Sequence, residues 1–278
     1  MEIIRLDNVS YRYRQGGGEM IEALKGVSIS INKGEFIVLC GQNGSGKSTF
    51  AKMINGLYLP TEGDVFSFGI NTKDTKRIFD IRARVGMVFQ NPDNQMIASI
   101  VEDDIAFGPE NLGIDREEII ERVDWALAAV GMSEYRKSTP FKMSGGQKQR
   151  IAIAAVLAVM PEVLVLDEST AMLDPKGRRE VMEVLRNLNE TENITILHIT
   201  HNMEEAVGAD RLIVLDNGQI KMDGTPEAVF HEEDLLKEYK LDIPIVLAIQ
   251  IELKKKGIVL DGFITDEKEL SDKLCLLL

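Results

Sequence analysis

The sequence predicts an α/β fold built on a largely parallel sheet, with an antiparallel sheet at the N-terminus, an inserted helical subdomain and a small C-terminal module. Three observations carry this prediction. Continuous runs rich in β-branched residues and leucine recur at Phe36–Cys40, Val85–Phe89, Val163–Asp167, Ile194–Ile199 and Leu212–Leu215, as expected of strands covered on both faces. Helical stretches separate several of them: one after Lys47, Ile151–Met160, and Lys176–Leu188 behind Pro175. That alternation predicts parallel strands. The N-terminal part reads differently, since Ile3–Val9 and Val27–Ile31 are joined through Gly16-Gly17-Gly18, the pattern of a small antiparallel sheet leaning on the core.

Directly behind Phe36–Cys40 comes Gly41-Gln42-Asn43-Gly44-Ser45-Gly46-Lys47-Ser48-Thr49, which fits the phosphate-binding pattern G-x-x-x-x-G-K-[ST]. An apolar strand stops, glycines let the backbone turn tightly around an anion, and a helix begins. Backbone N–H groups and the positive helix N-terminus then hold a phosphate. Lys47 would reach the β- and γ-phosphates, and the Ser48 hydroxyl would ligate Mg²⁺. This stretch predicts a nucleoside triphosphate site.

Residues 92–158 read as a mostly helical insertion. Asp115 and Glu118 have capping-box spacing, and Ile119, Ile120, Val123, Leu127 and Val130 follow on one helical face before Gly131 ends it. At the far end of the insertion, Met143-Ser144-Gly145-Gly146-Gln147-Lys148-Gln149-Arg150 puts a serine N-cap and two glycines before an apolar helix. That is a second helix N-terminus suited to an anion. One nucleotide does not need two phosphate cradles in one chain; two chains facing head to tail do.

The run Val163-Leu164-Val165-Leu166-Asp167-Glu168 ends a strand in two carboxylates, at the sheet edge where ligands bind. Asp167 would hold Mg²⁺, directly or through water, and Glu168 would polarise the attacking water as general base. An Asp-Glu pair behind a strand also serves as a helix N-cap; its company with the phosphate loop favours the catalytic reading. His198 lies within its strand and reads as a core residue. Beyond residue 230 the composition shifts to charged helical stretches, His231–Tyr239 and Pro244–Lys256, and a leucine-rich end. Residues 231–278 therefore read as a separate small module or docking arm without a catalytic signature.

Composition narrows the class. A chain of 278 residues that is 44% hydrophobic can bury a sizeable core. Its net charge of −13 argues against a general nucleic-acid binder. The two cysteines, Cys40 and Cys275, make no disulfide framework and fit a reducing compartment, with Cys40 as a buried small hydrophobe. The N-terminus lacks a signal-peptide apolar stretch, and the apolar run Ile151–Met160 falls far short of the ~20 residues that span a bilayer. The expectation is a soluble, cytoplasmic protein; a membrane process would need other subunits.

On these motifs the chain resembles the ATP-binding-cassette (ABC) ATPases over residues 1–230. Ser144-Gly145-Gly146-Gln147-Lys148-Gln149-Arg150 matches their signature loop, with Met143 where leucine is more usual. The resemblance implies that Ser144, Gly145, Gly146 and Gln147 meet the ATP held by an opposite subunit. It puts Tyr13 in the position of the aromatic that stacks on adenine, with Tyr11 as its rival. Gln90 matches the glutamine that meets Mg²⁺ and the attacking water and senses the transmembrane partner. Ser169–Asp174 resembles the loop that crosses the dimer interface, and His201, in Thr200-His201-Asn202, matches the γ-phosphate switch histidine.

A narrower resemblance follows Gln90. Asn91-Pro92-Asp93-Asn94-Gln95 and the segment from Val101 to Leu112 are similar to the post-glutamine region of energy-coupling-factor (ECF) transporter ATPases, which drive vitamin and transition-metal uptake. Ser169 and Met172, where proline and glycine are often found, look more like the first of the two ECF paralogues. The resemblance implies ATP and Mg²⁺ as cofactors and a second ATPase subunit, in a homo- or heterodimer to which residues 231–278 could contribute. It further implies a transmembrane scaffold, a membrane substrate-binding subunit, and a peripheral position on the cytoplasmic face of the membrane. An ATPase of a conventional ABC importer or exporter differs from this mainly in partners. A chromosome-maintenance or repair ATPase usually carries a long coiled coil between phosphate loop and signature, and no extended heptad run lies between Lys47 and Ser144. A translation-factor ATPase would carry two cassettes, and a sensor without catalysis would not need Lys47, Ser48, Gln90, Asp167, Glu168 and His201 together.

Overall fold

The computed structural model describes residues 1–14 and 18–276; Gly16 and Gly17 of the predicted glycine link lie outside them. The chain opens with a long antiparallel pair, β1 (Glu2–Arg14) and β2 (Met20–Asn32), in which Leu6 faces Ile29 and Tyr13 faces Ile21. Next come β3 (Phe36–Cys40) and α1 (Lys47–Ile54), then β4 (Glu62–Ser67) and β5 (Ile70–Asn71), which return to β1 and complete a sheet of order β2-β1-β4-β5. The helix α2 (Ile78–Arg84) leads into β6 (Val85–Val88).

The insertion follows as α3 (Val101–Asn111), α4 (Arg116–Ala129) and α5 (Gly145–Leu157). The chain then re-enters the sheet through β7 (Val163–Asp167), α6 (Pro175–Glu192), β8 (Thr195–Ile199), β9 (Arg211–Asp216) and β10 (Gln219–Gly224). The tail carries α7 (Pro226–Phe230), α8 (Glu233–Glu238), α9 (Ile245–Lys255) and α10 (Glu267–Cys275).

The second sheet has the order β10-β9-β3-β8-β7-β6, with every neighbouring pair parallel except β10 on β9. Alternation along each strand sends side chains to opposite faces, and both faces are covered. Phe36, Val38 and Cys40 join Leu164, Leu166 and Ile196 under α5 and α6, whereas Ile37 and Leu39 join Val165, Leu197 and Phe50 on the face toward α1 and the antiparallel sheet. This double cover is why the strands read as unbroken apolar runs. Burial also pushes the Cys40 thiol up to about 12, so it remains protonated and packs as a small hydrophobe.

Local detail departs from expectation in three places. Asp115 stands at the N-cap of α4, but its side chain caps nothing; Glu118 pairs forward with Arg122 at 2.6 Å instead of reaching back, so the predicted capping box is not formed. The helix predicted over Ile151–Met160 begins at Gly145, because Ser144 and Gln147 form a reciprocal capping box that takes both glycines into the first turn. It ends at Leu157, and Met160 takes the left-handed conformation at φ 61°. The tail is also less separate than its composition suggests. Leu236, Leu241 and Leu247 are buried in the same apolar cluster as β3, α5 and α6, while Val246, Ile264 and Leu270 make a small core of their own.

That difference sets a stability expectation. Leu236→Ala should lower the unfolding free energy by roughly 2–5 kcal/mol, the range for a buried leucine whose cavity cannot collapse. Urea unfolding measures it, and a loss below about 1 kcal/mol would show that the tail does not belong to the cooperative core.

Candidate functional site

The strand order puts four chain segments side by side at the C-terminal edge of the parallel strands, the edge where α/β sheets bind ligands. The phosphate loop leaves β3, Thr200 and His201 follow β8, Asp167 ends β7 with Glu168 directly after it, and Gln90 follows β6. Backbone crowding explains the glycines of the loop. A Cβ at Gly46, where φ is 108°, would lie 2.3 Å from the Ala23 carbonyl oxygen, and one at Gly41 would lie 2.1 Å from that of Leu215. No side chain fits there, so the loop can pack against β2 and β9 only with glycine at both points.

The Lys47 side chain is only 4% exposed. Its Nζ donates to the carbonyl oxygens of Gly41 (2.8 Å) and Gln42 (2.9 Å) and lies 3.7 Å from the Glu168 carboxylate. Burial lowers its pKa, with Glu168 the first of the groups working against that. The Ser48 hydroxyl donates to Asp167 Oδ1 at 2.8 Å, and burial raises the pKa of Asp167 despite that bond. The loop and the end of β7 are thus joined, although 119 residues separate Ser48 from Asp167.

Glu168 is half-buried with φ 52°, a left-handed conformation that costs a non-glycine residue roughly 1–3 kcal/mol and is held only by its surroundings. Its N–H donates to Ile199 O at 3.0 Å, and its carbonyl accepts from Ala171 N–H at 3.1 Å. Its side chain accepts from Gln90 Nε2 at 3.3 Å. A cleft of about 180 Å³ opens over these groups, walled by Tyr13, Ala23, Gly46, Lys47, Thr49 and Glu168.

The model of the ABC transporter family matches residues 24–171, the span from the first half of β2 through the phosphate loop, the insertion and Glu168. The chain belongs to the ABC transporter ATPases. Full-length relatives narrow the membership. The chain is 52% identical over 273 residues to the energy-coupling factor transporter ATP-binding protein EcfA1 of Caldanaerobacter subterraneus, covering 98% of this chain and 99% of that protein. It is 46% identical over 275 residues to EcfA1 of Clostridioides difficile, covering 99% of both. Among solved structures, CbiO1 of Clostridium perfringens, part of the ABC transporter complex CbiONQ, superposes with a TM-score of 0.77 at 34% identity over 89% of this chain and 98% of that one. The ATP-binding cassette MJ0796, as a dimer in a post-hydrolysis state bound to ADP and Pi, gives 0.72 at 32% identity, covering 81% and 99%. The chain is accordingly an ECF-type ABC ATPase.

The remaining sequence-predicted residues of this ABC ATPase fall into three settings. Tyr13 is 42% exposed at the mouth of the cleft, whereas Tyr11 is stacked on Tyr58 with ring centroids 5.3 Å apart and packs on the apolar core. Of the two rivals, Tyr13 is the one that lines the cleft. Ser144 and Gly145 are exposed at the tip of the insertion, with Ser144 Oγ accepting from Gln147 N–H and Gln147 Oε1 accepting from Ser144 N–H. They do not wall this chain's own cleft. His201 is exposed one strand from the phosphate loop and lines a neighbouring polar cleft of about 330 Å³ with Arg178, Asn202 and Asp242.

Sequence reading passed over several contacts here. The P-loop residue Gln42 donates through Nε2 to the Tyr239 carbonyl at 2.8 Å, and Glu204 Oε1 accepts from Ile245 N–H at 2.9 Å. The tail therefore touches both the phosphate loop and the turn behind His201. His198 is buried as expected but is bonded to a second buried group, Glu205. No local sequence signal marks Glu205, which the 3₁₀ turn Met203–Ala206 turns inward beside Met203 and Ala206.

Proposed function

We propose that this ATPase powers an ECF-type importer of a vitamin or transition-metal ion from the cytoplasmic face of the membrane. The observation that carries the proposal is a cleft walled by Lys47, Ser48 and Glu168, with Asp167 bonded to Ser48 and Gln90 bonded to Glu168 and the signature loop exposed elsewhere. ATP would lie with its phosphates on the amides of residues 41–49, Lys47 at the β- and γ-phosphates and Tyr13 against adenine. The residues fit Mg²⁺: a hydroxyl and a carboxylate already 2.8 Å apart, the carboxylate buried, match an ion that takes few protein oxygens and completes its shell with water and phosphate. Ser48, Asp167 and Gln90 would hold it, and it would neutralise charge on the phosphates. Glu168 would take the proton of the attacking water, with His201 at the γ-phosphate.

Dimerisation follows from the exposed helix N-terminus at Ser144–Gln147. In a head-to-tail pair each chain would present this loop to the nucleotide on the other's phosphate loop, so ATP would favour the closed state because only that state completes the second cradle. Coupling to a membrane scaffold is supported by an open groove of about 360 Å³ between β6 and the helical insertion, flanked by exposed Phe89, Ile97 and Phe107. Beside it, Lys148 of the signature helix donates to Asp93 at 2.7 Å, linking the segment behind Gln90 to α5. Among the described residues no helix is long and apolar enough to cross a membrane, so the spanning parts would come from partners.

Affinity purification of the tagged chain from detergent-solubilised membranes tests the proposal. A polytopic scaffold, a small membrane binding protein and a second ATPase are expected in stoichiometric amounts. A conventional permease pair would remove the ECF assignment, and the absence of any membrane partner would remove the transport role.

A further inference from the structure

A buried polar cluster behind the cleft has no part in the scheme above. Glu205, in the 3₁₀ turn Met203–Ala206, is 4% exposed. Its Oε2 accepts from His198 Nε2 at 2.7 Å and from Thr170 Oγ1 at 3.0 Å. Since a carboxylate only accepts, Nε2 of His198 carries the proton. Burial alone would raise the Glu205 pKa; its polar neighbours, His198 first, with Thr200 and Thr170, outweigh it and hold the carboxyl below its ordinary range. Its other oxygen, Oε1, has no hydrogen bond, and Arg178 Nε stands 3.5 Å away without hydrogen-bond geometry.

What this carboxylate joins gives it a role. Thr170 is two residues past Glu168, fully buried, in consecutive turns closed by Ala171 N–H to Glu168 O and Leu173 N–H to Thr170 O. Those turns hold Glu168 at its positive φ. His198 is three residues before His201 on β8, the strand between the phosphate-loop strand and the Glu168 strand. One buried oxygen therefore ties the loop behind Glu168 to the strand that leads into Thr200 and His201. We propose that Glu205 is a positioning residue for ATP hydrolysis, fixing the Glu168 loop and the His201 strand in one register. This rests on the reading of Glu168 as general base.

The test uses the full-length chain in its membrane complex, with ATP turnover measured across ATP concentration. Thr170→Val keeps the side-chain shape and removes the hydroxyl. Its kcat should fall by about tenfold or more while KM for ATP stays within about twofold, because a misplaced base harms the transition state and leaves nucleotide binding alone. Thr170→Ser restores the hydroxyl and should recover most of the lost kcat. Wild-type kcat in Thr170→Val overturns the proposal, as do equal losses in both variants or a raised KM at unchanged kcat. Glu168→Gln in the same assay separates the two readings. Wild-type turnover there removes the general base itself, whereas slow turnover there beside a fully active Thr170→Val removes only the positioning role.

Discussion

Glu168→Gln should bind ATP as the wild-type chain does and hydrolyse it about 10²–10⁴-fold more slowly, the usual contribution of a placed general base. The substitution preserves shape, so the turns behind residue 168 and its N–H bond to Ile199 O have no reason to change. The left-handed backbone is equally tolerable for glutamine, since its strain comes from the Cβ that both residues carry. Lys47 loses a carboxylate 3.7 Å away but keeps its bonds to Gly41 O and Gln42 O. What disappears is the proton acceptor facing the cleft. ATP can then close the dimer but cannot be consumed, so closed dimers should accumulate in Mg²⁺-ATP. Single-turnover hydrolysis and light scattering measure the two effects. Wild-type turnover would take Glu168 out of its role, and lost ATP binding would mean that its charge chiefly serves to balance Lys47.

How far this site could be read in advance depended on the range of each interaction. The P-loop and the Asp167-Glu168 pair are contiguous motifs, so their residue types and local conformation sit in one short window. The bonds that assemble them, Ser48 to Asp167 and Gln90 to Glu168, span 119 and 78 residues. Only strand order brings them together. Tyr11 and Tyr13 share the same strand face by spacing, and only the position of Tyr58, which covers Tyr11, distinguishes them.

The fold shows the same division. Strands buried on both faces announce themselves through composition, and the five apolar runs match β3, β6, β7, β8 and β9 to within a residue or two at each end. The strand β4 (Glu-Gly-Asp-Val-Phe-Ser) fully buries only Val65 and Ser67, and in β10 no residue is fully buried. The first leaves no periodic apolar signal, and the second leaves only the short alternation of Ile220 and Met222 between polar neighbours. The tail read as charged helices because its solvent faces dominate its composition. That Leu236 and Leu241 reach the main core, and that the Tyr239 carbonyl accepts from Gln42 across 197 residues, depends on packing that no local window contains.

Lys47→Ala should abolish nucleotide binding, lowering affinity by at least about 10²-fold. Hydrogen bonds to charged groups contribute about 1.5–3 kcal/mol each, and two phosphate contacts at a tenfold change per 1.4 kcal/mol give that range. The same ammonium has a second task, since it donates to two loop carbonyls and is almost fully buried. Its removal therefore also relaxes the loop, and a stability loss could imitate a binding loss. Lys47→Arg separates the two. It keeps the charge, but its planar fork cannot reproduce a point donor within the tight glycine turn, so it too should lose ATP. Titration calorimetry on both variants, beside an unfolding curve without nucleotide, gives the decision. Weak binding by folded protein supports the phosphate role, and wild-type affinity in Lys47→Ala would sink the assignment of residues 41–49 as the triphosphate cradle. A partial result is also informative. If Lys47→Ala binds ADP nearly as well as wild type but loses ATP, the ammonium acts chiefly at the γ-phosphate, next to Glu168, and the lysine would then help to sense the nucleotide's hydrolysis state as well as to anchor it.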